Sequence, residues 1–158
     1  MKSTDILKLA TSVILCQIAG FLGSLFTTPA IPTWYATLSK PFFTPPNWIF
    51  SPVWISLFVL MGISLFFVWR KQDHPPVKTA LIFFFIQLIL NIFWSVAFFG
   101  LRSPLLGLMD IVLLWIAILF TIKNFLKVSK FAGALLIPYL LWVSFAALLN
   151  FALWILNR

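Results

Sequence analysis

WYATLSKPFFTPPNWIFSPVW, residues 34–54, joins two very apolar stretches of the chain. It holds four Trp or Tyr rings (Trp34, Tyr35, Trp48, Trp54), three phenylalanines and four prolines (Pro41, Pro45, Pro46, Pro52). Each X-Pro step disfavours helical geometry at the residue before it. Residues of about 29–46 are therefore read as non-helical, inside an aromatic-proline loop of about 27–47. An interfacial Trp/Tyr belt accounts for the rings but not for the prolines. A loop stiffened in this way loses little entropy when it closes over a ligand.

Outward from this loop the chain is apolar in both directions. Of its 158 residues, 63% are hydrophobic and only 9% charged, and the mean hydropathy is +1.10. A soluble domain carries about 25% charged residues. Five apolar runs, at about 5–26, 48–69, 80–100, 104–122 and 131–156, are each long enough to cross a bilayer. Period-two alternation is absent, which argues against a β-barrel. The expected fold is an all-α integral membrane protein, a five-transmembrane-helix bundle forming one domain over residues 1–158. Short connections predict that sequential helices are antiparallel neighbours.

The formal net charge of +8 is explained by placement rather than by nucleic acid. Counting spans, Lys2, Lys8, Arg70, Lys71, Lys78, Lys123, Lys127 and Lys130 fall on one side, and Lys40, Arg102 and Arg158 on the other. In a prokaryotic cytoplasmic membrane, the expected location, that asymmetry puts the N-terminus inside and the aromatic loop outside. The apolar core Leu9–Phe26 exceeds the h-region of a signal peptide, and Thr28-Pro29-Ala30 is a poor cleavage site, so the first helix is expected to be retained. Cys16 is the single cysteine, which excludes disulfides within the chain. Ala19 and Gly23, and Gly20 and Ser24, stand four apart and permit close approach to another helix or to a second protomer.

Polar and aromatic residues recur at helical spacing in three runs. Gln87, Asn91, Trp94, Ser95 and Phe98 share one face of the third helix. Trp142, Phe145, Ala146, Leu149 and Asn150 form a similar stripe on the fifth, and Asn47, Phe50, Trp54, Phe58 and Met61 on the second. Amides in hydrocarbon turn inward for partners. Gln87 and Asn150 read equally well as interhelical glue. Three indole rings on separate inward stripes suit a flat aromatic guest. Asp110 is the single carboxyl group well inside a span, and the spans offer no second acid, lysine or histidine for a proton relay. Haem ligation would have to come from Cys16, Met61, Met109 or Tyr139, with no facing pair evident, so a tetrapyrrole is expected to be held by stacking and shape. A phosphate-binding glycine loop is missing, and one loop histidine, His74, cannot supply a catalytic triad.

Three blocks resemble the translocator protein family, also called TspO/MBR or tryptophan-rich sensory proteins. The first runs from Trp34-Tyr35 through Leu38, Lys40-Pro41, Pro45-Pro46 and Trp48 to Pro52-Val53-Trp54. The second is Gln87-Leu88-x-Leu90-Asn91-x-x-Trp94 with Phe98-Phe99-Gly100. The third is Pro138-Tyr139-x-x-Trp142-Val143-Ser144-Phe145-Ala146 with Leu149-Asn150, and Asp110 also matches. The resemblance implies a receptor for protoporphyrin IX, haem and other hydrophobic aromatic ligands, with no obligatory cofactor and no metal site. The pocket residues it implies are Tyr35, Pro45, Trp48, Trp54, Asn91, Trp94, Trp142, Phe145, Ala146 and Leu149. Some bacterial members degrade protoporphyrin IX in light through tryptophans matching Trp54 and Trp142, which leaves an enzymatic reading open beside the binder. Transport of porphyrin-like molecules and a structural role are the other readings, and a homodimer is the expected assembly. The sterol motif at the end of the last helix is not matched: Phe151 stands at its tyrosine, and Arg158 lies too far on.

Overall fold

The computed structural model describes residues 3–158. Five helical spans are present: Ser3–Tyr35, Asn47–Trp69, Pro76–Gly100, Pro104–Val128 and Lys130–Leu156. Among the described residues there is no strand. Leu7, Ile14, Phe93, Leu113, Leu141 and Leu148 all point outward and are exposed. Apolar surface this continuous fits a hydrocarbon surround. This is an integral, multi-pass membrane protein. Lys2, counted above with the basic end, lies outside the described residues.

The first span corrects the sequence reading. Helix α1 (Ser3–Ala30) runs through Pro29 and continues as a π-helical turn over Ile31–Tyr35 that contains Pro32. Trp34 and Tyr35 therefore end a helix, and the non-helical connection shrinks to residues 38–46. Proline removes a backbone donor and its ring crowds the preceding turn. In an apolar setting the chain widens the turn instead of breaking, and hydroxyl side chains take up freed carbonyls. Thr33 Oγ1 does so here, donating to the carbonyl of Pro29 at 2.8 Å.

The remaining spans are α2 (Asn47–Trp69), α3 (Pro76–Ser95, extended by a π turn over Val96–Gly100), α4 (Pro104–Val128), and α5 (Lys130–Leu135) followed by α6 (Ile137–Leu156). Helix α4 outlasts its expected end by more than a turn. The last span is broken at Leu136, because Pro138 cannot bond back to residue 134. Ser103 and Ser129 cap α4 and α5, their side chains accepting from Leu106 N and Ala132 N.

Packing order departs from chain order. Helix α1 lies against α2 and α3, α4 lies between α3 and α6, and α2 meets α5 closely but α3 and α6 only slightly. The expectation that every sequential pair would be close neighbours fails at α2 and α3, because α1 takes the place between them. The closest crossing is at Gly62, where an added Cβ would stand 2.5 Å from Val13 Cα and 3.0 Å from Ser12 O. Toward the basic end Met61, Phe84, Ile118, Phe125 and Val143 fill the interior completely, with Phe84 and Phe125 stacked at 5.6 Å. Lys8 bonds Gln72, and Lys71 Nζ donates to Val128 O at 2.8 Å. At the opposite end Asn157 pins the 38–46 connection by two bonds to Ser39, each 2.9 Å.

Gly62→Ala is expected to lower stability by about 1–3 kcal/mol, since backbone rather than a flexible side chain must give way. Gly20→Ala, which meets only the Phe58 ring, should cost less. Thermal unfolding of both variants in detergent checks the order.

Candidate functional site

At the loop end the bundle does not close. Helices α2 and α6 meet only slightly, and a cavity of about 370 Å³ remains between α1, α2, α3 and α6. Its walls carry the inward stripes. Trp54 lies 5.7 Å from Phe58 and 6.3 Å, edge to face, from Tyr139. Trp142 packs on Phe50 at 6.0 Å and Phe145 at 5.5 Å. Trp94 stacks on Phe98 at 5.4 Å. Three indoles thus reach one space from three helices.

Most polar groups around this space already have partners. Trp94 Nε1 donates to Asn150 Oδ1 at 3.1 Å, and Asn150 Nδ2 donates to Pro104 O at 2.7 Å. Asn91 Nδ2 donates to Tyr139 Oη, and that hydroxyl donates to Gln87 Oε1, each at 2.9 Å. Trp142 Nε1 is different: it is buried and has no partner. An unpaired buried donor of this kind costs about 1–3 kcal/mol. Among the described residues it is the one buried indole nitrogen without a partner.

No Asp, Glu, Lys, Arg or His lines the cavity. Lys40 Nζ sits 4.8 Å from the ring centroid of the lining residue Tyr35 while donating to Leu38 O at 3.1 Å. Lys40 therefore ties the roof down rather than entering the site. The cavity opens sideways between α1 and α2, where lining residues Phe21 and Ile55 are 63% and 56% exposed. Gln17 Nε2 crosses this gap to Ile55 O at 3.1 Å.

Of the residues expected from sequence, Tyr35, Trp54, Asn91, Trp94, Trp142, Ala146 and Leu149 line the cavity. Pro45, Trp48 and Phe145 do not. Trp48 is 73% exposed, because the start of α2 turns it outward. Phe145 is held behind Trp142 and against Phe43 at 6.4 Å. Of the three stripes, Gln87 and Met61 also lie outside, in the filled half. None of Cys16, Met61, Met109 and Tyr139 lines the cavity, and among the described residues no cluster of three metal-ligating side chains occurs. Asp110 is outside as well, with a buried Oδ2 that has no partner.

The wall missed from sequence is α1, which contributes Gln17, Gly20, Gly23, Ser24 and Thr27. The four-apart small residues were legible, but as a packing seam. They face α2 and α3 of the same chain: a Cβ on Gly20 would stand 2.6 Å from the Phe58 ring, and one on Gly23 would stand 2.9 Å from Ser95 Oγ.

Residues 12–155 match the TspO/MBR family. The chain belongs to that family. It is 50% identical over 157 residues to the tryptophan-rich protein TspO of Chlorobaculum tepidum, covering 97% of this chain and 98% of the relative. The corresponding protein of Archaeoglobus fulgidus is 48% identical, over 97% and 99% of the two chains. The translocator protein of Homo sapiens is 37% identical, over 85% and 80%. In this TspO/MBR protein the matching tryptophans converge on one uncharged cavity.

Trp142→Phe removes the unpartnered donor and keeps the ring contacts, so the ligand-free protein should melt at or above the wild-type temperature. A fall of more than about 1 kcal/mol would assign the indole a packing role instead.

Proposed function

We propose that this TspO/MBR protein binds flat, hydrophobic aromatic molecules, with tetrapyrroles such as protoporphyrin IX foremost, in the cavity beneath the 38–46 connection. The observation that carries this reading is the convergence of Trp54, Trp94 and Trp142 on an uncharged space where Trp142 Nε1 lacks a partner. Indole faces favour offset stacking with another π system. A volume of about 370 Å³ lies at the small end of the range for ligand sites. A whole tetrapyrrole would project one edge through the gap between α1 and α2. That edge would be an apolar one, with the carboxylates directed toward the 38–46 connection at the membrane surface, because an unpaired carboxylate is as costly in hydrocarbon as among indoles. The lateral gap also lets an apolar ligand arrive from the bilayer.

Relatives carry the names tryptophan-rich sensory protein, in Cereibacter sphaeroides, and translocator protein. For this chain the sensing or scavenging reading is favoured over transport, since the basic half of the bundle is filled by Met61, Phe84, Ile118 and Phe125. Passage across the membrane would require that core to part. The same proposal sets the N-terminus in the cytoplasm, because seven of the ten lysines and arginines beyond Lys2 gather at its end.

Protoporphyrin IX should quench tryptophan fluorescence saturably with one-to-one stoichiometry. Ala146→Leu, which fills space one turn from Trp142, should weaken binding at least tenfold, the equivalent of about 1.4 kcal/mol. Linear quenching equal to that in empty detergent would overturn the reading.

A light-dependent reaction is the second reading, favoured by Trp54 and Trp142 both facing the cavity. Phenylalanine keeps stacking surface but resists oxidation. Trp54→Phe and Trp142→Phe should each slow conversion of bound porphyrin to a defined product under illumination, with dark affinity within a few fold of wild type. Bleaching at the wild-type rate by both variants would leave binding and dismiss catalysis.

A further inference from the structure

A second cavity, of about 190 Å³, lies on the outside of the bundle between the end of α1 and the turn after α3. Leu25, Phe26, Pro29, Thr33, Gly100 and Arg102 shape its outer side, and Phe99 forms the wall it shares with the aromatic cavity. Gly100 gives the groove its depth: a Cβ there would stand 2.9 Å from Phe26 Cδ1.

Arg102 is the unusual member. Its φ of 52° makes it the single non-glycine residue with positive φ among those described. It follows a helix end, a place where a left-handed residue is ordinarily glycine. The turn itself, closed by Leu101 N to Val96 O at 2.7 Å and Ser103 N to Ala97 O at 3.3 Å, has no need of a long side chain. Among the described residues the Arg102 guanidinium has neither a salt bridge nor a hydrogen bond. The chain's other acids are no help: Asp5 pairs with Arg70 at the far end, Asp73 lies in the far-end turn, and Asp110 is within α4.

The depth of the groove points to what fills it. About 20 helical residues cross a hydrocarbon layer, and counted from Lys8 at the basic end they reach Thr28. Pro29, Thr33 and Arg102 therefore lie at headgroup level, with Leu25 and Phe26 just below in the acyl region. A lone cation above an apolar furrow matches one occupant, a phospholipid. We infer that the groove is a phospholipid site, with the lipid phosphate on the Arg102 guanidinium and one acyl chain descending over Leu25 and Phe26. A guanidinium fork is suited to a phosphate. The inference is independent of what occupies the aromatic cavity.

The test uses the delipidated full chain in detergent, titrated with phosphatidylglycerol and followed by native mass spectrometry and melting temperature. The comparison ligands are a diacylglycerol with a neutral sugar headgroup and soluble glycerol phosphate. Wild-type protein should retain phosphatidylglycerol and melt higher with it, and neither comparison ligand should match that. Arg102→Gln should bind at least about tenfold more weakly, and Thr33→Phe, which obstructs the furrow, should also lose binding. Arg158→Gln, removing a cation at the same end, should behave as wild type. Arg102→Gly is decisive about strain: without lipid it should melt no lower than wild type, and with lipid it should show no shift. The inference is overturned if Arg102→Gln retains lipid, if Arg158→Gln loses as much, or if either comparison ligand binds as well. A lower melting temperature of lipid-free Arg102→Gly would likewise overturn it, by making the arginine structural. Porphyrin quenching should stay at the wild-type level in all these variants.

Discussion

Hydrocarbon offers no hydrogen bonds, so every backbone group of a membrane span must find its partner inside the protein. That constraint shapes this molecule more than any single contact. It turns Pro29 and Pro32 from chain breakers into the cause of a widened helical turn over Ile31–Tyr35, with Thr33 holding the carbonyl of Pro29. A second π turn, Val96–Gly100, ends the neighbouring span. The two irregular turns lie side by side at the loop end, where the cavity also lies. The filled, regular half of the bundle is at the other end.

The same constraint distributes the side-chain polar groups. Asn91, Tyr139 and the Gln87 carbonyl are linked across α3 and α6, with Gln87 Nε2 left over, and Trp94 and Asn150 are joined higher up. Helix association through such bonds is worth only about 0.6 kcal/mol on average in membranes, so their larger effect is to fix which ring faces the cavity. The arrangement is incomplete at Trp142 Nε1, as it is at Ser12 Oγ, Gln87 Nε2 and Asp110 Oδ2.

Charge is kept away from the cavity and placed at the ends. Lys71 and Lys40 lie over the ends of α4 and α1 through backbone carbonyls, where cations are favoured by the helix dipole. Asn157 ties the loop to the last helix. Asn157 thus holds the connection from the last helix, and this complements the stiffness its prolines impart.

The five spans were legible in the sequence because a run of about 20 apolar residues is a local signal, and the inward faces because helical periodicity is local too. Asn91, Trp94, Trp54, Trp142, Ala146 and Leu149 could be placed on those faces without knowing which helices meet. The fate of Pro29 and Pro32 could not, since a proline breaks or widens a helix according to what surrounds it. Nor could the position of Pro45, Trp48 and Phe145 outside the cavity lining, which for Trp48 turns on the rotation of α2 and for Phe145 on Phe43 folding against α6. The glycines of α1 showed that something comes close, but only the packing of α1 between α2 and α3 showed that it is the cavity wall. Sequence determined which faces are inward because that depends on each helix alone. The tertiary structure decided which inward faces share one space, because that depends on the order and tilt of helices brought together by contacts distant in the chain.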